Sequence, residues 1–195
     1  MTKPTGRFPF SVFLGCAVRR VLAAESDRAE AMLQALKDNE TFLLPSHLEL
    51  LAKETAEPHW LTDEERNHQE KAGSVLGPWL AKTVAEHGDP LRGSNELGGM
   101  AVEPEHLKGD VDLIAMLAFR YALPRHTSMT SLVPEIVLKH RELMKLETLT
   151  AMAEEAEAYL SRSDAFSSRT RIDDESWASF VRDVRTEGRE PFKPY

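Results

Sequence analysis

Two arginines, a tyrosine, a histidine and a threonine fall together in the run Arg120-Tyr-Ala-Leu-Pro-Arg125-His-Thr127. A guanidinium presents a rigid fork of N–H donors matched to carboxylate or phosphate oxygens, and the ring groups add hydrogen-bonding atoms beside it. The chemistry open to Arg120, Tyr121, Arg125, His126 and Thr127 is therefore capture of an anion. A structural reading competes with it. Arg120 stands in the last turn of an apolar stretch, where a cation offsets the helix dipole and bonds unpaired carbonyls. Pro124 is expected to push Leu123 out of helical geometry, leaving Arg125, His126 and Thr127 in a turn that ties one helix to the next.

Other reactive patterns are weaker. Glu65-x-x-His68 and Glu103-x-x-His106 have the spacing that di-iron helical bundles use in pairs. Glu65 lies in a segment that is polar all round, which suits a solvated helix face, and Glu103 is followed at once by Pro104. Neither metal nor cofactor is expected. Cys16 sits among Leu14, Ala17 and Val18, where cysteine behaves as a small core residue. The chain has no Gly-x-Ser-x-Gly, no phosphate-cradling loop and no His-Glu-x-x-His, so nucleophilic and zinc-peptidase chemistry have no sequence support.

Two acidic stretches offer a different activity. The Glu147–Glu157 segment carries Glu154, Glu155 and Glu157, and the Thr62–Glu70 segment carries Glu64 and Glu65. With a net charge of -8, the chain should be repelled by nucleic acid directly and drawn to basic proteins. For either stretch taken singly, a solvated helix exterior is the plainer explanation.

The elements that must position these groups read as helices almost throughout. Phe13, Leu14, Ala17, Val18, Val21 and Leu22 recur at helical spacing. Ser26-Asp27 is expected to cap a helix over 28–37, and Ser46-x-x-Glu49 and Thr62-x-x-Glu65 read as capping boxes. The polar helix opened by Thr62 is expected to run to about Val75 and to break at Gly77-Pro78, with a separate short helix from Trp79 to His87. Gly109-Asp110 should cap an apolar helix from Val111 to Leu123. Further helices are expected over a Leu132–Val137 stripe with Pro134 in its first turn, over Leu143–Leu160, and from Asp173 onward through Trp177, Phe180, Val181 and Val184. Ser161–Arg171 reads as a connector.

The expected fold is all-α, a bundle of seven or eight helices. Glycines and prolines between 89 and 109 divide it into an N-terminal helical half (1–88) and a C-terminal one (110–195), and whether these pack together is left open. Cys16 has no partner for a disulfide, which fits a reducing cytoplasm. The start, Lys3 and Arg7 before Phe8-Pro-Phe-Ser-Val-Phe-Leu-Gly-Cys16, is a poor export signal because its apolar run is short and meets Arg19-Arg20. No stretch approaches the ~20 apolar residues of a membrane span.

The run Arg120-Tyr-Ala-Leu-Pro-Arg125-His-Thr127, with Leu132-Val133, Ile136 and the later Asp173-Asp-Glu-Ser-Trp177, resembles a pattern of small proteins of phages and mobile elements. Those read Arg-Tyr-Ala-Leu-Gly-Arg-x-Thr-Tyr. Here Pro124 replaces the glycine and Ser128 the tyrosine, and the likeness covers about Val111 to Val184. It implies a phage or mobile-element setting and no particular activity. Two function classes follow. One is a non-enzymatic acidic protein that docks on a basic or nucleic-acid-bound host protein, such as a defence complex, and inhibits it. The other is a small enzyme or ligand-binding domain acting on an anion through Arg120, Tyr121, Arg125 and His126. A homodimer is compatible with either.

Overall fold

A computed structural model describes residues 10–43, 45–57, 62–87, 106–125, 133–162 and 171–187. Among these the chain is all-α, with eight helices: α1 (Phe10–Ala23), α2 (Ala29–Asp38), α3 (Pro45–Ala56), α4 (Asp63–His87), α5 (Val111–Ala122), α6 (Val133–Lys139), α7 (Leu146–Ser161) and α8 (Arg171–Glu187). Single 3-10 turns precede α2, α3 and α7.

The interior is organised on α1 and α5, the two most apolar helices. From Phe13 to Leu22, α1 buries every residue except Gly15, Arg19 and Arg20. It lies along α5 and also meets α2, α3 and α4, so it is the hub of the bundle. On α5, Ala115, Ala118 and Ala122 follow one another at i, i+3 and i+7, a line of small side chains that lets a neighbouring helix come close. Phe119 carries α5 into a second cluster. Its ring meets Trp177 of α8 edge-on at 5.1 Å between centroids and Phe180 at 5.4 Å. Burial of these rings and of Val184 is what docks α8, whose face shows the expected 177/180/184 spacing. One continuous core thus includes residues from both sides of the 89–109 segment, of which residues 89–105 lie outside the described residues.

Several local expectations hold in atomic detail. The Thr62 hydroxyl accepts from the Glu65 amide at 3.1 Å while the Glu65 carboxylate accepts from the Thr62 amide at 3.1 Å, a reciprocal capping box. Asp110 caps α5 by accepting from the Leu113 amide at 3.0 Å, after Gly109 turns the chain at φ 80°, a conformation that side chains disfavour.

Others are corrected. The Gly77-Pro78 break does not occur: α4 runs unbroken for 25 residues with Pro78 inside it. Pro78 and Ser74, whose carbonyl loses its intrahelical donor, both face solvent, so water can satisfy what the ring removes. Ala72, Leu76, Leu80 and Thr83 on the opposite face are buried and hold both halves of the helix to the core. Leu123 likewise stays helical before Pro124 (φ -51°, ψ -46°). Its side chain is buried and its amide donates to the Phe119 carbonyl at 2.9 Å, which outweighs the pre-proline preference. Ser26 does not cap α2; a 3-10 turn over Ser26–Arg28 intervenes and the hydroxyl turns to His68. Helix α3 begins at Pro45, the favoured first helical position for proline, which places Ser46 inside it. Helices α7 and α8 start three residues later and two residues earlier than the sequence suggests. No described helix is long and apolar enough to cross a membrane.

Candidate functional site

Arg120 leaves α5 where the end of α1 and the middle of α7 converge, and two carboxylates claim it. Its Nε donates to both oxygens of Glu155 at 3.0 Å, Nη2 to Glu155 at 2.6 Å, and Nη1 to Glu25 at 3.1 Å. Arg20 holds the other oxygen of Glu25 at 2.8 Å. The chain Arg20–Glu25–Arg120–Glu155 therefore ties α1, α5 and α7 together, with Arg120 and Glu155 each about one-third exposed. Hydrogen bonds donated to Glu155, acting against partial burial, hold the Arg120 pKa above its ordinary value.

Arg125 is placed differently. It folds back so that Nη1 donates to the Tyr121 carbonyl at 2.9 Å, and its guanidinium lies 3.9 Å over the Tyr121 ring, a cation–π geometry. The carbonyl-capping role expected of Arg120 thus belongs to Arg125. His126 and Thr127 lie outside the described residues. Near Arg125, burial pushes the Cys16 thiol above its ordinary pKa, with Arg19 and Arg125 opposing, so the thiol is a protonated core group. Arg19 is pulled down by burial, but the hydrogen bond and charge of Glu54 (Nη2 to Oε1, 2.6 Å) win and raise its pKa.

The acidic residues divide in the same manner. Glu155 is committed to Arg120 and Glu65 to the cap of α4, whereas Glu64 and Glu154 are exposed. Glu157 pairs with Arg185 across α7 and α8, both about half exposed. The outer face of α7 shows Glu147, Thr150, Glu154, Glu157 and Ser161, and the helix has no basic residue in 16. His68 of the Glu-x-x-His pair turns Nδ1 to the Ser26 hydroxyl at 2.9 Å, and among the described residues no group of three or more histidine, cysteine, aspartate or glutamate side chains is placed to hold a metal ion.

Sequence reasoning missed Glu25, Glu54 and Asn39. The fully buried Asn39 amide donates to the Ala35 and Lys108 carbonyls at 2.9 and 2.8 Å and accepts from the Lys108 amide at 3.0 Å. It fastens the segment leading into α5 to the end of α2. A helix-ending asparagine is a local signal of a cap, but its partner 69 residues away is not. Asp112 is a further case: it accepts from the Lys145 amide at 2.8 Å and so sets the start of α7.

A cleft of about 250 Å³ opens between the α1–α2 corner, α5 and α7, floored by Leu113, Met116 and Leu117, with Glu25, Asp110 and Asp112 contributing carboxylates and Arg28 and Arg120 guanidiniums. No family model matches the chain, and no curated protein or solved structure shows significant similarity to it.

Proposed function

We propose that the protein is a non-enzymatic interaction protein that presents an acidic helical surface to a basic or nucleic-acid-bound protein, in the cytoplasm of a host carrying a phage or mobile element, and inhibits that partner. The observation that carries this reading is the outer face of α7. It exposes Glu147, Glu154 and Glu157, the helix itself supplies no cation to neutralise them, and among the described residues Arg185 of α8 pairs with Glu157. Such a face accelerates encounter with a positive partner and makes binding sensitive to salt. Use of the arginine cluster on a small anion is less favoured, because Arg120 is already neutralised by Glu25 and Glu155.

The experiment follows from which acids are structurally engaged. Glu155→Lys or Glu65→Lys would disturb the fold, so the informative variant is Glu147→Lys with Glu154→Lys. Capture of a defined basic protein from host lysate should weaken as salt rises, fall at least tenfold in this variant, and persist in Arg125→Ala. Capture that survives the charge reversal, or that ignores salt, overturns the reading.

A further inference from the structure

We infer that the groove along α5 receives one long basic side chain, lysine or arginine, projecting from the protein partner, an inference that rests on the acidic-surface reading above. The lining residues Asp112, Leu113, Met116, Leu117 and Arg120 recur at the spacing of one helix face, so the cleft runs lengthwise along α5. Asp112 and Met116 are one turn apart, about 6 Å along the axis, close to the reach of an extended aliphatic stem. Leu113 and Met116 are only partly buried, which leaves apolar surface within a charged rim. A lysine or arginine places methylenes on such a surface and its charged head at the polar end.

Size and sign narrow the occupant. At about 250 Å³ the cleft falls below the roughly 300–1,000 Å³ typical of sites for drug-sized ligands, so a single side chain fits better than a nucleotide. Of its two cations, Arg120 is held by Glu25 and Glu155. Arg28 is about half exposed at the rim, 3.8 Å from an exposed Asp27. The first turn of α5 would by itself favour an anion, but Asp110 and Asp112 already fill that role. Asp110 accepts one amide hydrogen and Asp112 accepts the Lys145 amide, and a carboxylate has acceptor sites beyond one bond. The Lys145 ammonium stands 3.7 Å from Asp112 and is largely exposed, so an incoming cation competes with it at little cost.

The full chain, labelled at the methionine methyls, is titrated with N-acetyl-arginine N-methylamide, with the norleucine and glutamate analogues as controls. The arginine probe should shift the Met116 methyl saturably, in the millimolar range expected of a single side chain. Asp110→Asn, which keeps a competent helix cap while removing the charge, should weaken that binding several-fold with only a small drop in melting temperature. Lys145→Gln should tighten it. Equal shifts from the norleucine or glutamate probe, no saturable shift up to about 20 mM, or indifference to Asp110→Asn overturns the inference. The two failures separate. Capture of a basic partner lost only through Glu147 and Glu154, with the groove silent, overturns the groove and leaves the acidic surface standing. Probe binding in the groove without capture of any basic protein overturns a protein as the groove's occupant and, with it, the acidic-surface reading.

Discussion

Where α1, α5 and α7 converge, arginine and glutamate side chains act as internal fasteners; along the outer faces of α4 and α7 the same residue types meet water. Glu154 and Glu155 are adjacent in sequence, yet Glu155 accepts three hydrogen bonds from Arg120 and Glu154 is exposed. The difference is 100° of helix rotation, which sends one carboxylate toward a neighbouring helix and the other outward. Composition counts both as acidic surface. Geometry makes one a structural strut and leaves the other to act on a partner.

The largest effect that would break this contrast lies beneath the fasteners. Phe119→Ala removes the ring that joins α5 to Trp177 and Phe180, all three essentially fully buried. The expected loss is about 3–5 kcal/mol, read as a lower urea midpoint with loss of tryptophan fluorescence structure. A loss under ~1 kcal/mol would mean that α8 is not docked through this cluster. Next is Asn39→Ala, which removes the buried side chain that pairs with the part-buried amide and carbonyl of Lys108 and should cost about 1–3 kcal/mol. Asn39→Asp should be no better, since a carboxylate cannot donate to the Lys108 carbonyl.

The fasteners themselves come third. A double-mutant cycle of Arg120→Met and Glu155→Gln should give a coupling of ~1–2 kcal/mol, between the values for exposed and buried ion pairs. The same cycle on Glu157 and Arg185, both about half exposed, should give under ~0.5 kcal/mol. Equal couplings at the two pairs would erase the contrast between the regions.

The helices were legible because their signals are local: the Thr62-x-x-Glu65 box and the Asp110 cap need only neighbours three residues away. The misreadings at Pro78 and Leu123 arise where tertiary burial overrides a local proline rule, and no window of sequence contains that burial. The candidate site was legible only in part. Arg120 stands out by type and position, but its partners Glu155 and Glu25 lie 35 and 95 residues away, and nothing in the Ala-Ala-Glu-Ser-Asp stretch around Glu25 announces an ion pair.

The smallest expected effect concerns His140, buried at the end of α6. Burial holds its pKa below the ordinary 6.5, with Lys139 reinforcing and Glu142 opposing the shift. The folded state therefore stays neutral at pH values where the unfolded chain takes up a proton. Stability is full above the unfolded pKa and declines as pH falls below about 6.5 toward the depressed folded value. His47 shifts in the same direction through burial and adds to the slope. Comparing urea midpoints at about pH 7.5 and about pH 5.5 should show this loss, and His140→Gln should flatten it while lowering the midpoint at the higher pH. Capture of a basic partner through the outer faces of α4 and α7, which contain neither His140 nor His47, should change little between the two pH values in protein that remains folded. A parallel collapse of binding and stability in folded protein would mean that the two regions are not separate after all.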